Sequence, residues 1–395
     1  FFSSEIKSLF QAETIQRKFS PKALDQIFTF WTTLPGETVF EGIKELKPGH
    51  FMQIENGKAS ITQYWDIPYA EEREKLNTPV EQITDQAHEL LHDAVKLRMR
   101  ADVPVASYLS GGLDSSGLSS LVMNNFNRDL KTFGIRFEED DYDEGIHQKE
   151  MVSYLRTDHR QVRATNEKIA ASLADALWHG EKPVLRTSPI PLYLLSGLVR
   201  QSGIKVVLTG EGADEVFGGY NIFREAKIRR FWAKQPDSQR RAALIGSLYP
   251  YIFKNPKLKH TLEKFFSAGL DNPDDPLFSH YLRCTGTART KNFFSDDLKH
   301  NLADYDCIGQ LKNSLPGNYR RRDYLSRAQY LEMSVFMSNY LLSSQGDRVA
   351  MANSVEIRLP YLDYRLLDFM AKVPPKWKIF GINEKHLLKK LFREI

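Results

Sequence analysis

Between residues 79 and 209 the apolar positions switch repeatedly between a helical and a strand period. After Pro79, the positions Ile83, Ala87, Leu90, Leu91, Ala94 and Leu97 fall on one face of an amphipathic helix. Val103–Leu109 then reads as a short buried strand, and a helix is expected from Ser115. Strands over Lys131–Phe137, His159–Val162 and Lys205–Thr209 alternate with helices from Gly145, over Glu167–Trp178 and over Pro191–Gln201. This alternation predicts an α/β fold with a doubly wound parallel sheet. Beyond Tyr220 the strand signal fades, and the stretch to Ile395 reads as a mostly helical C-terminal region with aromatic-rich faces. Upstream, residues 1–66 mix short helices with the β-like runs His50–Ile54 and Ala59–Tyr64, which flank the turn signal Glu55-Asn-Gly-Lys58 and predict a hairpin. Residues 67–78 contain Pro68 and a charged run from Glu71 to Lys75, and read as an interdomain linker. Residues 79–395 then form the second domain.

Composition narrows the function classes. With 395 residues, 42% hydrophobic and 26% charged, the chain is long enough for two domains with cores of their own. The net charge of +4 raises the question of nucleic acid. However, Lys227, Arg229, Arg230, Lys234 and Arg240 are interleaved with Phe231, Trp232, Leu244 and Ile245, and Arg320-Arg-Arg322 adjoins Asp323. That is the pattern of solvated helix faces, so no nucleic-acid partner is expected. The two cysteines, Cys284 and Cys307, cannot form a disulfide framework, which fits a reducing cytoplasm. No apolar run approaches the ~20 residues a membrane span needs, and no membrane partner is expected. His50 and His386 read as ordinary histidines rather than ligands.

The chemistry lies at two strand ends. Ser110-Gly-Gly-Leu-Asp-Ser-Ser116 follows the first strand of the alternating region. Gly111 and Gly112 leave room for an anion, the amides that open the next helix point outward, and Ser110, Ser115 and Ser116 add donors. Asp114 would repel a phosphate unless a divalent cation sat between them, so nucleotide and Mg²⁺ are implied together. The alternative, a strand-to-helix turn with serine caps, becomes weaker once the second cluster is considered. After Ile204–Thr209 comes Gly210-Glu-Gly-Ala-Asp-Glu-Val-Phe-Gly-Gly-Tyr220, with Glu211, Asp214 and Glu215 crowded among glycines. Packing accounts poorly for three carboxylates in one turn. Two such loops at the carboxyl ends of parallel strands are where open α/β sheets bind ligands.

The first loop lacks the lysine of the common P-loop and resembles the pyrophosphate-binding loop of the ATP-pyrophosphatase superfamily, the adenine nucleotide alpha-hydrolase-like fold. Its pairing with Gly210–Tyr220, and with Gly346-Asp-Arg-Val-Ala-Met-Ala-Asn-Ser-Val-Glu-Ile-Arg-Leu-Pro-Tyr-Leu-Asp363, resembles the glutamine-hydrolysing asparagine synthetase family. Residues 1–66, with Leu46-Lys-Pro-Gly-His50 and Gln63-Tyr-Trp-Asp66, are similar to the closing half of that family's α+β N-terminal-nucleophile glutaminase domain. The family's nucleophile is a cysteine at the mature N-terminus, whereas this sequence opens at Phe1, so its first residues are expected to lie mid-domain. By the same comparison a pyrophosphate-side lysine loop is expected after Ile395.

The resemblance implies an ATP- and Mg²⁺-dependent ligase. Aspartate would attack the α-phosphorus of ATP to give β-aspartyl-AMP and pyrophosphate, and ammonia, normally drawn from glutamine through a tunnel, would displace AMP. It also implies residue roles. Leu109 and Ile135 would border adenine, Ser110–Ser116 would hold pyrophosphate, Thr209 and Gly210 would run along the nucleotide, and Asp114 and Asp214 would hold the metal. Glu211 would serve the adenylate step, Arg186 would sit near the phosphates, and Asp347, Glu356 and Arg358 would shape the substrate end. For Arg186 an exposed surface arginine, and for Glu356 with Arg358 a structural ion pair, are the competing readings. β-Lactam synthetases and lasso-peptide cyclases share the fold and its adenylation chemistry, and remain alternatives. A non-catalytic ATP-binding relative would be expected to lose Asp114, Glu211 or Asp214. A homodimer is usual for such relatives.

Overall fold

The computed structural model describes residues 1–139, 143–250 and 259–393. Its centre is a five-stranded parallel sheet of β3 (Val105–Tyr108), β4 (Lys131–Phe137), β5 (Asp158–Ala164), β6 (Val206–Leu208) and β7 (Glu356–Arg358), after a separate antiparallel hairpin of β1 (His50–Glu55) and β2 (Lys58–Gln63). The spatial order is β5-β4-β3-β6-β7. The chain therefore leaves β3 in one direction for β4 and β5, and returns on the other side of β3 for β6 and β7. That reversal puts a switch point between β3 and β6.

Side chains of the central strands alternate between two cores, as a sheet covered on both faces requires. Val105, Val206 and Leu208 pack with Leu91, Leu118 and Leu121 on one face, while Ala106 and Val207 pack with Leu195 and Val199 on the other. The helix Val80–Arg98 lays Ile83, Ala87, Leu91, Ala94 and Val95 against the sheet. Leu97, expected on that face, is instead 37% exposed in the last turn. The helix Leu113–Asn125 is buried along Ser115–Val122, and its serines fit because Ser107 Oγ and Ser119 Oγ hydrogen-bond at 3.0 Å between strand and helix.

Two features of the fold go beyond what the sequence reading expected. The fifth strand, β7, carries no legible strand signal: it is three residues, Glu-Ile-Arg, with one apolar side chain, and pairing with β6 alone defines it. The segment 67–78 is no free tether. Ile67, Tyr69 and Ala70 are buried, Lys75 Nζ lies 2.9 Å from Asp323, and Leu76 N–H donates to Lys372 O at 2.9 Å.

Among the described residues between β6 and β7 the regular elements are all helices. Glu332–Asp347 winds as a 16-residue π-helix whose face includes Met333, Phe336, Met337 and Tyr340, all buried. Such winding is rare and tends to occur at functional sites. No described helix is long and apolar enough to cross a membrane.

Candidate functional site

A cavity of about 460 Å³ opens at the carboxyl ends of β3, β4 and β6, at the switch point. Its wall brings together Leu109, Ser110, Gly112, Asp114, Ser115 and Ile135 with Thr209, Gly210, Glu211 and Asp214. The 110–116 loop owes its shape to Gly111, whose φ of +89° is left-handed and whose Cβ, were there one, would stand 2.6 Å from Gln148 N. Serine hydroxyls hold the turn: Ser115 Oγ accepts from Ser110 N–H at 3.1 Å and meets Ser110 Oγ at 2.9 Å, and Ser110 Oγ accepts from Gly112 N–H at 3.2 Å. No side chain caps the helix that follows at Gly112, so its first amides remain available to an anion. Gly111→Ala is expected to weaken binding of a non-hydrolysable ATP analogue at least ~10-fold in titration calorimetry, since left-handed strain alone costs about 1–3 kcal/mol. Unchanged affinity would remove the loop from the nucleotide site.

Asp114 and Asp214 share one cation. Lys385 Nζ sits 2.6 Å from Asp114 Oδ2 and 2.8 Å from Asp214 Oδ1. Burial works against the Lys385 charge, but the two carboxylates outweigh it and hold its pKa above the ordinary value. Burial pushes the Asp114 carboxyl up against the pull of Lys385. Lys385 was not among the expected site residues. Its signal lay in the two aspartates, which need a cation wherever they converge.

The second loop holds its acids differently. Gly212 and Gly218, at φ +91° and +75°, bracket the short helix Ala213–Phe217. Glu211 is half-buried as a residue but its Oε2 is closed off from solvent, and burial of the carboxyl alone pushes it up to about 7. Tyr108 is its electrostatic neighbour at the end of β3, and a Cβ on Gly346 would lie 3.7 Å from Glu211 Oε2. Glu215, pushed to about 8 chiefly by burial, accepts from Tyr220 Oη–H at 3.0 Å. Four buried polar atoms in these loops have no hydrogen-bond partner: Asp114 Oδ1, Ser116 Oγ, Glu211 Oε2 and Glu215 Oε2. Orphans concentrated in one place mark missing ligand atoms.

Other expected residues lie elsewhere. Ser116 is buried behind the loop. Arg186 is exposed and stacks 5.2 Å over Trp31, outside the wall. Asp347, at the end of the π-helix, is a neighbour of Gly346 but not of the cavity. Glu356 and Arg358 are a structural pair: Arg358 Nε donates to Glu356 Oε1 at 2.7 Å, and its Nη1 donates to the carbonyls of Arg98 and Arg100. Glu356 stands beside Val206, at the end of β6 away from the loops. Both cysteines are buried with thiols pushed up to about 12 by burial, which leaves neither ready to attack.

Among the described residues no three metal-type ligands cluster, so Asp114 and Asp214 would share a Mg²⁺ with phosphate and water oxygens, the usual arrangement for that ion.

A second cavity, about 1330 Å³, lies between residues 34–67 and the π-helix; Met337 and Leu342 line both cavities.

The chain is 29% identical over 418 residues to Amidase chyE of Penicillium rubens, covering 99% of this chain and 60% of that protein. It is 28% identical to Asparagine synthetase [glutamine-hydrolyzing] 1 of Bacillus subtilis, covering 99% and 59%. The chain thus spans about three-fifths of the length of these relatives. Among solved structures, NH3-dependent NAD synthetase from Campylobacter jejuni matches at 14% identity and a TM-score of 0.26, over 60% of this chain and 98% of that one. The family model for a glutamine amidotransferase domain matches residues 1–65. The model for asparagine synthase matches residues 86–395, most of the chain, which is therefore a member of the asparagine synthase family.

Proposed function

We propose that this chain carries the ATP-dependent, amide-forming half-site of its family. A carboxylate oxygen of the acid substrate attacks the α-phosphorus of ATP, the bond to the bridging oxygen breaks, and pyrophosphate leaves. Ammonia then attacks the acyl carbon, the acyl–oxygen bond breaks, AMP leaves, and the nitrogen sheds a proton. The observation that carries this reading is the set of orphaned polar atoms on Asp114, Glu211 and Glu215 around one cavity.

The residues divide the work. Free amides at Leu113–Ser115 receive the leaving pyrophosphate, and Lys385 with the Asp114–Asp214 pair balances its charge. Mg²⁺, when bound, supplies further charge neutralisation there. Leu109 and Ile135 border the base, and Thr209 with Gly210 flank the nucleotide. Glu211, with a pKa of about 7, donates a hydrogen bond to one substrate oxygen in its protonated form, loses that proton to solvent once pyrophosphate has left, and in its ionised form accepts the proton from nitrogen.

Aspartate is the acid and asparagine the product that the family implies. Relatives named amidases stand beside those named asparagine synthetases at like identity, so likeness alone leaves the acid open. Residues 1–66 would belong to a glutaminase domain, with residues 79–395 as the synthetase. The larger cavity between them, separated from the nucleotide cavity by Met337 and Leu342, supports delivery of ammonia from that side.

Acid-dependent exchange of labelled pyrophosphate into ATP tests the reading. Exchange requiring both Mg²⁺ and an acid is expected; ATP binding without exchange for any acid would overturn it.

A further inference from the structure

The second loop carries its acids on a helix too short to hold itself. Ala213–Phe217 is five residues, and a helix of that length cannot satisfy its own last carbonyls. Asp214 O accepts from the amides of Gly218 and Gly219, at 2.9 and 2.8 Å. The next two carbonyls, Glu215 O and Val216 O, both accept from the side-chain amide Nε2 of Gln329, the latter at 3.1 Å. Gln329 is wholly buried, on the helix Tyr324–Leu331.

Gln329 is itself held. Its Oε1 accepts from Lys378 Nζ at 3.0 Å, at the end of the helix Pro375–Lys378. With a lysine donor at one end of the carboxamide and two carbonyl acceptors at the other, only one orientation of the amide is satisfied. Lys378 is 1% exposed, its Nζ lies 5.6 Å over the Tyr69 ring, and burial pushes its pKa well below the ordinary value. A methionine would fill the same space without a buried amine to desolvate. Packing alone therefore gives no reason for an amine here, whereas the Gln329 carboxamide does.

The segment that bears Lys378 closes on the same helix end. A Cβ on Gly218 would stand 3.3 Å from Ile379 Cγ1 and 3.5 Å from Lys378 Cβ, and one on Gly219 would collide with Asp214 and Lys385. Lys385 Nζ in turn meets the Asp214 carboxylate at 2.8 Å.

We propose that Gln329 and Lys378 are positioning residues: Lys378 fixes the Gln329 carboxamide, which pins the carbonyl end of the Ala213–Phe217 helix and so holds Asp214 where it meets metal and phosphate. Neither side chain lines the nucleotide cavity, so both act through the helix. The inference rests on the reading of Asp214 as a Mg²⁺ ligand given above, and extends that site to two residues outside its wall.

The test measures two quantities on the full chain. One is amide hydrogen exchange at residues 213–219 with no metal or nucleotide present, and the other is the Mg²⁺ concentration for half-maximal, acid-dependent exchange of labelled pyrophosphate into ATP. In the wild type the Gly218 and Gly219 amides are expected to be protected before any ligand binds; hydrogen exchange at the rate of free amides would overturn the inference. Lys378→Met keeps the stem and removes the amine. Gln329→Glu keeps the length and an acceptor for Lys378, but turns an oxygen towards the two carbonyls in place of the donors. Either variant is expected to exchange the loop amides about 10-fold faster, with the central strands as protected as before, and to need about 10-fold more Mg²⁺, the scale of one lost buried hydrogen bond. The rate at saturating Mg²⁺ should stay within about threefold of the wild type. An unchanged Mg²⁺ requirement would overturn the inference whatever the rate, because lost stability alone lowers the amount of active protein and not its need for metal. No pyrophosphate exchange with any acid in the wild type would overturn the adenylation reading, while hydrogen exchange without ligands would still decide whether Gln329 and Lys378 hold the helix.

Discussion

Glu211→Gln is expected to bind ATP as tightly as the wild type, to keep pyrophosphate exchange, and to form the amide from ammonia about 10²–10⁴-fold more slowly, the range for loss of a positioned proton acceptor. The amide keeps the size of the side chain and its capacity to donate, but not its capacity to take a proton. Glu211 lines the cavity beside Asp114 and Asp214 but stands apart from their lysine, and its Oε2 is buried without a partner. Activity at normal ATP affinity and unchanged rate would take Glu211 out of the chemistry.

The same substitution makes a stability prediction of opposite sign. Burial raises the folded pKa of Glu211 from 4.5 to about 7, so the folded state binds this proton more tightly than the unfolded chain does. The carboxyl therefore costs the fold nothing below the unfolded pKa, and its ionisation penalty grows as pH rises through about 7. At pH 8 that penalty is of order 3 kcal/mol, and Glu211→Gln removes it. The variant should resist urea better than the wild type at pH 8 and equally at a pH below 4.5. A residue that lowers stability while serving the reaction is the expected signature of a catalytic group.

Where sequence and structure agree, the reason is periodicity. Strands buried on both faces and the helices that cross between them leave long apolar patterns, which is why β3, β4, β5 and β6 were legible to within a few residues. The strand β7 was not, because three residues cannot show a period. The two glycine-acid loops were legible because their composition makes no sense as packing. Ten of the expected residues converge on one cavity, namely Leu109, Ser110, Gly112, Asp114, Ser115, Ile135, Thr209, Gly210, Glu211 and Asp214. Lys385 was missed because it reaches the site from 171 residues beyond Asp214, inside a stretch with several other lysines. Glu356 and Arg358 stayed open between two readings because a pair two apart on a strand faces one side whether it binds a substrate or only its own partner, and the structure shows them bonded to each other. The π-helix side chains that wall the cavity were invisible for another reason: Met337, Leu341 and Leu342 look like any buried helix until the winding and its register are known.

The largest stability effect is expected at Glu332, the first residue of that π-helix. Glu332 Oε1 and Oε2 accept from Arg283 Nη1 at 3.0 and 2.9 Å, and Oε2 meets His280 Nε2 at 2.7 Å. A carboxylate can only accept, so Nε2 carries the proton and Nδ1 accepts from Ser279 Oγ, 2.8 Å away. The imidazole is thus held as the neutral tautomer, in agreement with burial, which lowers its pKa. Burial opposes the charge of Glu332 too, but Arg283 and His280 outweigh it and bring its pKa to about 2. Arg283 in turn stacks over Trp31 and Phe336, so this one carboxylate anchors both the π-helix and its contact with the N-terminal segment. Glu332→Ala leaves Arg283 charged and buried without its partner, which is expected to cost about 3–5 kcal/mol in denaturant unfolding at pH 7. Because the folded pKa lies below the unfolded one, the contribution is complete above about pH 5 and disappears as pH falls through the range from about 4 to 2. The difference between wild type and variant should therefore shrink steadily on acidification; a difference independent of pH would mean that lost packing, rather than the ion pair, holds the helix in place.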